Sequence, residues 1–132
     1  MPPRRDRERS EAGSSTVEFA LVLPLLFVVT LALIQVALVG RDQLLVEAAA
    51  RAGARAAAVQ DDDAEVVGAA LRAAPTLDPV ATTVTTTREG ARGAPVSVEI
   101  RYEDRIRVPF VGWLIGDSVS LSATAVMRQE FG

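Results

Sequence analysis

The chain has 132 residues, 49% of them hydrophobic, a formal net charge of −3, and neither cysteine nor histidine. That length holds one modest domain plus a membrane segment, not two full cores. The missing residue types exclude a disulfide framework, a thiolate nucleophile, a cysteine metal site, and the commonest general base and metal ligand. All 14 basic residues are arginine, which also removes Schiff-base and P-loop lysines. The slightly acidic balance argues against a nucleic-acid binder.

Residues 1–12, MPPRRDRERSEA, are polar and charged and read as a short arm with nothing to build a core. From Phe19 to Gly40 the sequence runs FALVLPLLFVVTLALIQVALVG, 22 residues without a formal charge and with only Thr30 and Gln35 plainly polar. As a helix this run rises about 33 Å, enough to cross a hydrocarbon core of roughly 30 Å. It exceeds the apolar region of a cleaved secretory signal, about 7–15 residues, and reads as a retained span. Arg4, Arg5, Arg7 and Arg9 precede it, against Arg41 alone immediately after it. The positive-inside bias therefore puts the N-terminus in the cytoplasm and the C-terminus outside.

The segment RDQLLVEAAARAGARAAAVQ continues the helix with strong helix formers and no proline. Leu45, Ala49, Ala52, Ala56 and Val59 form an expected packing face, opposed by Gln43, Glu47, Arg51 and Arg55, so one helix is predicted from about 15 to 59. In DDDAEVVGAALRAAP, Asp62 and Glu65 have the spacing of a capping box and Pro75 stops a short helix. The period then changes. VATTVTTT (80–87) is β-branched, REGARGAP supplies a turn, and VSVEIRYE (96–103) and SVSLSATAVM (118–127) alternate in polarity. Three strands in meander order predict an α+β fold: a single-span protein whose long N-terminal helix packs on a small antiparallel sheet.

Little in this inventory supports catalysis. Glu99, Glu103, Asp104 and Asp117 are of the residue type used in glycoside hydrolysis, but Glu99 and Glu103 fall on the polar face of a strand, where charges are simply solvated. The DDDAE run lacks the glycine of a calcium loop. The chain is read as a non-enzyme with no cofactor and no metal site. RVPFVGWLIG (107–116) concentrates Phe110, Val111, Trp113, Leu114 and Ile115. It is either a loop folded over the core or a contact surface for a partner subunit or the membrane interface, with Phe110, Trp113 and Leu114 as its anchors.

One cluster points further. Gly13, then Ser14-Ser15-Thr16-Val17, then Glu18-Phe19, directly precede the span. This arrangement resembles the class III signal of type IV pilin-like proteins. More narrowly, STVEFALVLPLLF, EAAARAGARAAAV and the closing ATAVMRQE resemble the TadE family, pseudopilins or minor pilins of the tight-adherence (Flp) pilus. The resemblance implies a pilin-like fold and cleavage between Gly13 and Ser14 by a prepilin peptidase. It implies assembly or recognition roles for Glu18, Phe19 and Pro24. It also implies other pilins or pseudopilins and an inner-membrane assembly platform as partners, alongside membrane lipid. The expected layout is a cytoplasmic leader (1–13), a transmembrane helix (14–40), an extracytoplasmic helical segment (41–74) and a sheet segment (75–132). The alternative is an unprocessed bitopic envelope protein whose outer domain binds a partner or cell-wall component.

Overall fold

The computed structural model describes residues 5–106 and 116–130, with side chains from Thr16 onward. Helix α1 spans Arg5–Val59 and passes through Pro24. Helix α2 (Asp63–Ala73) and a single 3₁₀ turn (Pro79–Ala81) follow. Strands β1 (Thr82–Arg88), β2 (Pro95–Arg105) and β3 (Ser118–Arg128) form one antiparallel sheet in the order β1-β2-β3. The meander and the helix-on-sheet architecture are those expected from the change in period.

The sheet buries one face. Val96, Val98, Ile100 and Tyr102 alternate inward along β2, and Leu121 joins them from β3. Against them lie Val46, Ala49, Ala50, Ala54, Ala57 and Ala58 of α1, with Val66 and Ala70 of α2. The packing face of α1 is thus rotated from the expected one. Ala49 is buried, but Leu45, Ala52 and Ala56 are half-buried and Val59 is exposed. The reason is steric. Gly53 shares a side with Ala49, Ala50, Ala54 and Ala57, and the helix meets the sheet where side chains are smallest. A Cβ added at Gly53 would lie 3.0 Å from Val98 Cγ1. The opposing polar stripe is as expected, with Glu47 and Arg51 3.6 Å apart across one turn.

The acidic run serves the fold. Asp62 is the N-cap of α2, its side chain accepting from the Ala64 N–H at 2.9 Å. The capping box is only half formed: Glu65 pairs with Arg72 about two turns along the helix instead of returning to the cap. Asp61 and Asp63 flank Arg88 at the end of β1, at 3.5 and 2.6 Å. These contacts lock the start of α2 to the edge of the sheet.

Strand β3 runs alongside α1 in the same direction. Gln43 Nε2 donates to the Ser122 carbonyl at 3.2 Å, and far along both elements the Glu130 N–H donates to the Ala58 carbonyl at 2.7 Å. The far end is tied by Gln129, which is buried and donates from Nε2 to the Gly90 carbonyl. Its own carbonyl accepts from the N–H of Gly93, a residue at φ +85° that glycine adopts without strain. The β2–β3 connection therefore starts and ends at the opposite end, nearest the apolar run.

Two substitutions check this packing. Gly53→Val should destabilise the outer domain by about 1–3 kcal/mol through overpacking against Val98. Asp62→Ala should cost about 1 kcal/mol through the lost cap. Thermal or denaturant unfolding of the full chain in detergent reads both, with the larger loss expected at Gly53.

Candidate processing and assembly site

The apolar run forms the bare half of α1. Thr16–Val59 contains a stretch long and apolar enough to cross a membrane, and that stretch is almost wholly unburied by the rest of the chain. Val17, Phe19, Leu21, Leu25, Leu26, Phe27 and Leu33 are all exposed. Such a surface on an isolated helix needs lipid or other protein around it. Its two polar side chains are handled differently. Thr30 Oγ1 donates back to the Leu26 carbonyl at 2.7 Å, which hides its hydroxyl within the helix. Gln35 is buried, 2% exposed, on a stripe continuing through Asp42 to Val46.

At the outer end, a polar collar marks where the helix joins the domain. Arg41 Nη2 donates to Thr76 Oγ1 at 3.2 Å, and Arg41 Nη1 lies 3.7 Å from Asp42 Oδ1. Asp42 and Asp104, both 1% exposed, are buried at this same end. Sequence reasoning named Asp104 only as one of four carboxylates and assigned no site role to Gln35 or Asp42. The available signal was the spacing 35–42–46, which extends the buried stripe of α1 back into the apolar run.

At the inner end stands Glu18. It is exposed and makes no hydrogen bond or ion pair among the described residues. Phe19 beside it is exposed, and Pro24 lies a turn and a half further on, where it denies the Ala20 carbonyl its intrahelical donor. Gly13 and Ser14 fall within the bounds of α1. All five sequence-predicted residues of this cluster thus share one helix. Phe110, Trp113 and Leu114 lie outside the described residues. Glu18 and Asp42 bracket the apolar run, about 36 Å apart along the helix axis.

This geometry defines a class: an α+β protein in which one apolar N-terminal helix, fit for a single membrane pass, carries a small three-stranded domain on its far half. Residues 13–55 match the family model described as TadE-like protein, in agreement with the resemblance read from the sequence. The match begins at Gly13, runs into the alanine-rich packing face and ends at Arg55. The closing ATAVMRQE lies beyond the matched residues. No curated protein and no solved structure matches the chain.

Because the Glu18 carboxylate has no partner among the described residues, Glu18→Gln should leave domain stability within about 0.5 kcal/mol of the parent. Unfolding in detergent, followed by circular dichroism, checks this. A larger change would show that the carboxylate has a partner within the chain.

Proposed function

We propose that the chain is a minor pilin or pseudopilin of a tight-adherence pilus, non-enzymatic and matured by cleavage between Gly13 and Ser14. The observation that carries this reading is the offset between Gly13 and Glu18, set directly before the apolar run and inside the matched residues. In this reading the N-terminal arm is cytoplasmic and the sheet domain extracytoplasmic. A prepilin peptidase takes Gly13 at its site because glycine presents no side chain to clash. Cleavage creates an ammonium group at Ser14, four residues before Glu18 on the same helix.

The two charges then serve assembly. A carboxylate at the hydrocarbon boundary is costly without a partner. Glu18 of one subunit can pair with the Ser14 ammonium of a neighbour, which favours docking in one register. Pro24 weakens the helix just beyond that pair, giving the span a point at which to bend as subunits leave the membrane. Phe19 fills the adjoining apolar contact. The partners are the peptidase, other pilins or pseudopilins, the assembly platform and lipid.

Mass spectrometry of the protein from host membranes should find Ser14 as the first residue, and Gly13→Val should retain the leader. An intact leader in cells with active prepilin peptidase would overturn maturation and favour the unprocessed envelope protein. Glu18→Ala should be inserted and folded yet absent from assembled material, and normal pili from that variant would refute the pairing role. Orientation has its own probe, since an introduced cysteine is unique in this chain. Ser120→Cys should react with a membrane-impermeant maleimide added outside spheroplasts, and labelling only after the membrane is broken would refute this orientation.

A further inference from the structure

The sheet has two edges, and charge enters each edge strand only at its last residue, Arg88 of β1 and Arg128 of β3. Isolated edge strands are normally blunted by charge, proline or a bulge. Thr82–Thr87 of β1 and Ser118–Met127 of β3 contain no charged residue and no proline. Both strands pair with β2 in an unbroken register without a bulge.

The hydrogen bonds show which backbone groups face outward. The Glu89 N–H donates to the Pro95 carbonyl, so odd-numbered residues of β1 face β2 and the N–H and C=O groups of Val84 and Thr86 point away, while the Thr82 N–H is taken by the Pro79 carbonyl. The Gln129 N–H donates to the Ala94 carbonyl, so odd-numbered residues of β3 face β2. Ser120, Ser122, Thr124 and Val126 therefore present their backbone groups to the other edge. Along that edge runs a groove of about 370 Å³ lined by Gln43, Glu47 and Arg51 of α1 and by residues 122–125. Among the described residues only the Ser122 carbonyl is engaged there, by Gln43.

Membrane anchoring restricts how a second copy can use these edges. β1 and β3 both run in the direction in which α1 leaves the apolar run, so copies standing in one membrane bring their edges together in parallel. Height sets the register as well. Thr85 and Thr124 both lie opposite Glu99, so they are level with each other. At equal height, outward-facing Val84 of one copy lies level with inward-facing Ala123 of the next, flanked by outward-facing Ser122 and Thr124. Parallel bonding requires that alternation. Joining β3 to β3 at equal height instead sets outward groups opposite outward groups, and correcting this needs a shift of one residue, about 3.3 Å.

We propose that the β1 edge of one copy of this chain adds in parallel to the β3 edge of the next, in the groove beside α1, with Thr85 level with Thr124. The pairing also sets Thr83 beside Ser122 on the outer face, where hydroxyl pairs stabilise neighbouring strands. Unlike edges meet head to tail, so the contact does not close at two copies and propagates along a row. The inference requires only that copies share a membrane, and it is independent of maturation.

Disulfide crosslinking of the full chain in native membranes tests it. Thr85 and Thr124 are both exposed on the outer face, so cysteines there do not disturb the core. Within one sheet they are two strands apart, about 9.6 Å, too far for a disulfide, which needs Cα atoms within about 7 Å. Any bond is therefore between chains. With a mild oxidant, Thr85→Cys/Thr124→Cys should give a ladder of dimers, trimers and larger species. Thr83→Cys/Val126→Cys, exposed on the same face but displaced by four residues, should remain monomeric. The inference is overturned by a monomeric Thr85→Cys/Thr124→Cys chain, by an equal ladder from the displaced pair, or by dimers of Thr124→Cys alone. A ladder formed by chains that retain residues 1–13 would uphold edge pairing while refuting cleavage at Gly13.

Discussion

Everything outside the apolar run depends on how closely α1 approaches the sheet. The contact is made by alanines 49, 50, 54 and 57 around Gly53, against Val96, Val98 and Ile100. Small side chains let the helix backbone sit almost on the strand, so a domain of this size excludes water without bulky residues on its central helix. Because α1 is continuous, the same contact fixes the domain to the helix that projects from it. The collar of Arg41, Asp42 and Thr76 holds that junction from the side.

The consequence is a division of one helix into two halves with different surroundings. The outer half turns its small residues to the sheet and its Glu47–Arg51 stripe to solvent. The other half has Glu18 at its start and is mostly exposed and apolar, although Gln35 is buried and Val39 packs against the core near its end. The Glu18 carboxylate is exposed and has no partner among the described residues, which is why it is read as an intermolecular contact. The open strand edges follow the same logic at the other end of the molecule. Both regions leave polar groups open to partners from outside the chain.

Most of the architecture was legible because it rests on period and composition. The run from Phe19 to Gly40 has no alternative to a span-length helix, and the alternation of Val96, Val98, Ile100 and Tyr102 set the inner face of β2 correctly. The TadE resemblance was legible for a related reason: it lies in the contiguous segment 13–55, where spacing along one helix carries the pattern. The rotation of the α1 face was not legible. An alanine-rich helix offers several faces of nearly equal hydrophobicity, and only the fit of Gly53 to Val98 chooses among them. The burial of Asp104 was not legible for a different reason. Its place in the strand alternation is inward, but a carboxylate ordinarily argues for solvent, and only its position at the collar end shows it buried.

The sequence by itself determined the span, the order of elements, the strand faces and the Gly13–Glu18 offset. Each of these is a relation between residues close along the chain. The tertiary structure alone decided which face of α1 packs and that Asp61 and Asp63 close on Arg88. It also decided that Gln35 and Asp42 are buried, and that β1 and β3 end as open edges running the same way. Those are relations between residues far apart in the chain, set by which surfaces fit when helix and sheet close on each other.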